Sequence, residues 1–221
     1  MSARVLLLLC LALGLVAPAP QAAPPRPLTC EQIIEGVQAR YAKLTDIQAG
    51  FEQVTQLPGG RRLEAAGTAY FKKPRMIRWD FERPEPQSII TDGQTMWVWE
   101  PQQRQVQVYG AALLDARLRL GFFQDLRRLS EDFTMRVGEP TECCHTLELE
   151  PKPGRVIDLR HLTLFILREP MRVVRARTVD LAGNVTEIEF RDIKENTGLK
   201  DSLFRFSPPP GTKVIKPQPG T

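Results

Sequence analysis

Few side chains in this 221-residue chain have the type and spacing for bond-making chemistry. Its two histidines, His145 and His161, are too little material for a multi-histidine metal site or for a range of His-based catalysis. Ser88, Ser130, Ser202 and Ser207 sit in no strand-to-helix nucleophile turn, and the chain carries no glycine-rich phosphate loop. Asp92-Gly93 reads as turn chemistry and not as a catalytic carboxylate. The run Cys143-Cys144-His145 is the one cluster with metal-ligand residue types. Adjacent ligands fit a tetrahedral zinc site poorly, and the usual spacing of two to four residues is missing. A disulfide is the better reading of these cysteines. The residues point away from an enzyme, and no metal or cofactor is expected.

Composition agrees with a folded protein, and the N-terminus with an exported one. Apolar residues make up 42% and charged residues 25%, ordinary values for a globular domain. The net charge of +4 is spread along the chain without blocks, so no nucleic-acid footprint is expected, while contact with anionic membrane surfaces stays open. Arg4 precedes an apolar run over residues 5–16 and then a small-residue stretch to Ala23. That run is too short to span a bilayer, which takes about 20 apolar residues, and it reads as a secretory leader over residues 1–23. One mature domain over 24–221 is expected. In an oxidising compartment Cys30 is expected to pair with Cys143 or Cys144, leaving one thiol over.

The elements that must position any binding residues follow from periodicity. Thr29 followed by Gln32 is a capping box, and Ile33, Ile34, Val37 and Tyr41 fall at helical spacing, predicting a helix over 31–43. From Asp46 the period becomes two. Strands are predicted at 47–56, 64–72, 76–81, 87–91, 95–100 and 105–109, with Pro- and Gly-rich turns between them. Residues 111–129 carry a helical composition divided by Gly121, which predicts two short helices. Strands then resume at 133–137, 145–150, 162–167, 172–179 and 186–192, and an extended Pro-rich stretch covers 208–219. Eleven consecutive strands without helical crossovers must pair antiparallel, and a sheet that long curls. The helices then belong on its concave side. Both faces of several strands are apolar: Ile77, Trp79 and Phe81 share one face, while Met96 with Val98 and Trp97 with Trp99 occupy both.

Four stretches, in this order, resemble the outer-membrane lipoprotein carrier family, LolA. They are residues 37–41 and 44–53 (VQARY, LTDIQAGFEQ), 70–79 (YFKKPRMIRW), 89–101 (IITDGQTMWVWEP) and 204–215 (FRFSPPPGTKVI). The resemblance implies an incomplete antiparallel β-barrel of about eleven strands, mainly β with helices that act as a lid on its concave face. It implies a periplasmic carrier and no enzyme. The partners implied are acylated lipoproteins, an inner-membrane lipoprotein-releasing ABC transporter and an outer-membrane acceptor, with the carrier a monomer.

On this reading the cavity candidates are Phe51, Phe71, Ile77, Trp79, Phe81, Met96, Trp97 and Trp99. The lid candidates are Ile33, Val37, Leu113, Leu114, Leu118, Phe122, Phe123 and Leu126. Relatives place an Arg before the Pro of the second hairpin, where it hydrogen-bonds lid carbonyls. Here that position is Lys73, which keeps the charge without the planar fork, so Lys73 and Arg75 are the gating candidates. A lipoprotein- or lipid-sensing module of the same architecture, or a carrier of another lipid, is the alternative.

Overall fold

The computed structural model describes residues 27–110, 126–155 and 157–216. The expected leader and the lid candidates Leu113, Leu114, Leu118, Phe122 and Phe123 lie outside the described residues. Helix α1 (Cys30–Ala42) begins as its sequence dictates. The Thr29 side chain accepts the Gln32 N–H at 3.3 Å and Gln32 Oε1 accepts the Thr29 N–H at 2.9 Å, so two of the amides that a helix start leaves unpaired are satisfied. Ile33, Val37 and Tyr41, four residues apart, form its buried stripe.

The first meander is β1 (Asp46–Gln56), β2 (Arg62–Lys72), β3 (Met76–Arg83), β4 (Gln87–Thr91), β5 (Thr95–Glu100) and β6 (Gln105–Gly110). The short helix α2 (Leu126–Asp132) leads into the second: β7 (Phe133–Val137), β8 (Cys144–Pro151), β9 (Leu159–Leu167), β10 (Arg172–Asp180) and β11 (Val185–Glu195). All eleven predicted strands are present. A 3-10 helix (Asp201–Phe204) and a twelfth strand, β12 (Lys213–Ile215), follow. The strands form one open, curved sheet in the order β12-β6-β5-β4-β3-β2-β1-β11-β10-β9-β8-β7. Successive strands within each meander pair antiparallel, and β1 joins the two meanders by pairing antiparallel with β11. The sequence predicts only an extended tail where β12 pairs parallel with β6. Three residues are too short for periodicity to register, and the pairing depends on a partner far away along the chain.

One face of the sheet carries the main core. Buried Ile33, Val37 and Tyr41 of α1 join Ile47, Ala49 and Phe51 of β1, Ala69 and Phe71 of β2, Ile77 of β3, Phe190 of β11 and the apolar row of β8 and β9. The helix therefore lies on the concave side. The cysteines correct the expected pairing. Cys143 and Cys144 are bonded to each other, and Cys30, in the first turn of α1, is a free thiol. The bond sits at the entrance to β8, while Cys30 packs partly buried against the core from the first turn of α1.

Candidate binding face

Register decides which predicted residues share a face, because directly opposed residues in antiparallel strands point the same way. Trp79 opposes Ala69 and Ile89, Ile89 opposes Val98, and Ile77 opposes Thr91, which opposes Met96. Phe51, Phe71, Ile77, Trp79, Phe81 and Met96 thus lie on the concave face. Among the described residues, four rings surround Trp79: Phe51 at 4.8 Å and Phe71 at 5.7 Å, both edge-on, Phe190 tilted at 5.9 Å and Phe81 stacked at 6.4 Å. Each such pair adds about 0.5–1.5 kcal/mol beyond burial. Phe51, Phe71 and Ile77 are buried, but Trp79 and Phe81 are only partly covered. Met96 sits apart in a smaller cluster with Tyr109, Ile89 and Val98.

Trp97 and Trp99 belong to the other face. They oppose Ile90 and Ser88 on β4, and Val108 and Val106 on β6. The tail covers this side: Trp99 meets Phe206 at 5.5 Å, Arg78 donates to the Leu203 carbonyl at 3.0 Å, and Phe204 is fully buried. The three tryptophan candidates are thus divided, Trp79 on the concave face and Trp97 and Trp99 on the opposite one. A strand apolar on both faces gives alternation no direction, and only the register with β3 settles it.

Of the lid candidates, Ile33 and Val37 are fully buried beneath α1, and Leu126 opens α2. The two clefts at the C-terminal end of α1 hold only about 20 and 10 Å³, room for one water each. Here the helix is closed down on the sheet. The Lys73 ammonium donates to two carbonyls of its last turn, Tyr41 O at 2.6 Å, which also accepts the Leu44 N–H at 3.1 Å, and Ala42 O at 3.3 Å. Arg75 lies in the β2–β3 turn against Gly93. Sequence reasoning missed a third contact, the Val173 N–H donated to the Tyr41 hydroxyl at 3.2 Å. Burial pushes the Tyr41 phenol well above its usual range, so it stays a neutral hydroxyl. A larger cavity of about 270 Å³ opens between the β3–β4 and β5–β6 turns beside Ala65, Phe81, Arg83 and Glu100.

Among the described residues, no group of histidine, cysteine and carboxylate side chains is placed to hold a metal ion. The Asp92 carboxylate accepts the Gln94 and Thr95 N–H groups, both at 2.9 Å, around Gly93 at φ +93°, as a turn residue does. A half-barrel with an aromatic concave wall and a helix pinned across it is the architecture of an apolar-ligand binding module.

Residues 42–207 match the family model for the outer membrane lipoprotein carrier protein LolA. The chain is 30% identical over 220 residues to the outer-membrane lipoprotein carrier protein of Alkalilimnicola ehrlichii, covering 96% of this chain and 93% of the relative. It is 31% identical over 179 residues to the protein of that name from Pseudomonas paraeruginosa, covering 79% and 83%. Among solved structures, an uncharacterized conserved protein from Thermus thermophilus shares the fold, with a TM-score of 0.57 at 16% identity over 85% of this chain and 98% of that one. The chain belongs to the LolA family.

Proposed function

We propose that the protein is a periplasmic carrier that holds the acyl chains of lipoproteins against its concave face. After removal of the leader it would receive them from an inner-membrane ABC transporter and pass them to an outer-membrane acceptor, working as a monomer. Phe51, Phe71, Ile77, Trp79, Phe81 and Met96 form the wall and α1 is the lid over it; Lys73 holds α1 down, with Arg75 beside it. The observation that carries this reading is the pair Trp79 and Phe81, large aromatics left partly uncovered in the middle of an otherwise buried wall.

The energetics demand such a surface. Each CH₂ moved from water to an apolar site contributes about 0.8 kcal/mol, so a lipid anchor of two or three chains resists the aqueous gap by on the order of 20–35 kcal/mol. A carrier has to offset most of this yet bind less tightly than the membrane that receives the cargo. A wall that is partly covered while the lid is down and bared when the lid lifts meets both conditions. Transfer then exchanges one apolar surface for another and breaks no covalent bond, so the protein needs no catalytic group.

The test is to isolate the protein from its periplasm and identify what copurifies by mass spectrometry, alongside Trp79→Asp in a lipoprotein-release assay. Acylated proteins bound to the wild type and lost from the variant are expected. Recovery of glycolipid alone, or undiminished loading of the variant, would overturn the reading.

A further inference from the structure

Three charged side chains meet where the last turn of α1 rests on the sheet. Arg40 is in that turn, Glu195 ends β11 and Arg172 begins β10. One Glu195 oxygen is bonded to the Arg40 guanidinium, and the other lies 3.6 Å from Arg172 Nη1. The side chains are only 29%, 17% and 24% exposed, and Arg172 shares the adjoining cleft with Tyr41, Phe71 and Phe190. Arg40 Nε, Arg172 Nε and Glu195 Oε1 are buried with no hydrogen-bond partner among the described residues. One carboxylate thus stands between two guanidiniums, one on the helix and one on the sheet. In poorly solvated surroundings, removing the shared counter-charge of such a group is far more damaging than removing one of the like charges.

We propose that Glu195 is a positioning residue for the lid, a latch that holds α1 to β10 and β11 by neutralising the repulsion between Arg40 and Arg172. The proposal rests on the carrier reading only for its consequence, that the latch helps set how readily the wall is uncovered. It is separate from the Lys73 contact, which reaches backbone carbonyls and involves no opposed charges. Because the cluster is not saturated with hydrogen bonds, it holds the helix without welding it.

Hydrogen exchange of the α1 amides, measured on the empty protein, tests the latch directly. Glu195→Gln keeps the shape and leaves two facing cations, so exchange over residues 37–42 is expected to rise about tenfold or more while β1 and β2 amides are unchanged. Arg172→Met, which leaves the Arg40–Glu195 pair intact, is expected to stay near wild type. Adding Arg172→Met to Glu195→Gln is expected to restore most of the protection, since the repulsion is gone; loss of a mere hydrogen bond would not be rescued this way. Arg40→Met provides a second route if Glu195→Gln does not fold, and it too is expected to speed exchange, by less. Unchanged exchange in Glu195→Gln, or no rescue in the double variant, would overturn the latch. In the lipoprotein-release assay, Glu195→Gln is expected to hand on cargo faster than wild type. Should the empty protein respond as expected while the wild type loads no lipoprotein, the carrier reading fails and the latch stands.

Discussion

Phe51 and Phe81 meet edge-on with ring centroids 5.1 Å apart although their strands, β1 and β3, are not neighbours. Neighbouring strands lie about 4.8 Å apart, so rings two strands away would not normally touch this closely. Between them stands Gly67 of β2, which opposes both. A Cβ there would come within 1.9 Å of the Asp80 carbonyl oxygen, a backbone atom that cannot yield. Gly67→Ala is therefore expected to lower stability by about 1–3 kcal/mol or more, read as a lower denaturant midpoint. A neutral result would mean that β2 and β3 can part without cost.

Lys73→Ala removes the ammonium from the Tyr41 and Ala42 carbonyls. Hydrogen bonds to a charged group contribute about 1.5–3 kcal/mol, so the last turn of α1 should exchange its amides markedly faster. Lys73→Arg, which restores the multi-donor fork, should slow exchange to the wild-type rate or below.

The two faces of the sheet should respond differently to truncation. Phe204→Ala, at a fully buried site under the tail, is expected to cost about 3–5 kcal/mol and to leave cargo binding per folded molecule intact. Trp79→Ala should weaken cargo binding in the same assay. Equal binding loss in both would place the ligand on the wrong face.

Asp46 is buried and accepts four hydrogen bonds, from Thr197 N and Oγ1 at 2.8 Å each, Gly198 N at 3.1 Å and Thr45 Oγ1 at 3.1 Å. Burial alone would raise its pKa, but these donors outweigh it and hold the carboxyl below its usual range. The unfolded chain then takes up the proton more readily than the folded one. This contribution is fully present above the ordinary carboxylate pKa and is lost as pH falls through the lowered folded value. The unfolding midpoint should drop on acidification below about pH 4, and Asp46→Asn should flatten that part of the profile.

Thiol mapping of the denatured protein should label Cys30 without reductant, and find the peptide bearing Cys143 and Cys144 lighter by two hydrogen atoms until reduced. A link from Cys30 to either would contradict the structure.

Much of this architecture is legible from local signals. The capping box at Thr29 and Gln32 marks the helix start, and the period-two runs broken by turns such as Asp92-Gly93 locate eleven strands. What is not legible depends on distant partners. Trp79, Trp97 and Trp99 look alike in sequence, yet register puts the first on the concave wall and the others under the tail. β12 exists only because β6 offers an edge. The Tyr41 hydroxyl and the Glu195 carboxylate give no hint of their roles until β10 and β11 are brought beneath α1.

The sheet order starts at β12 and stops at β7, and these ends are not partners. Its wall is a strip and not a ring. A closed cylinder could take a fatty tail tethered to a folded polypeptide only by threading, with the bulky end left outside a fixed opening. A strip can be loaded sideways, so on the proposed carrier reading a bulky group trailing from the tail need never pass through a fixed opening.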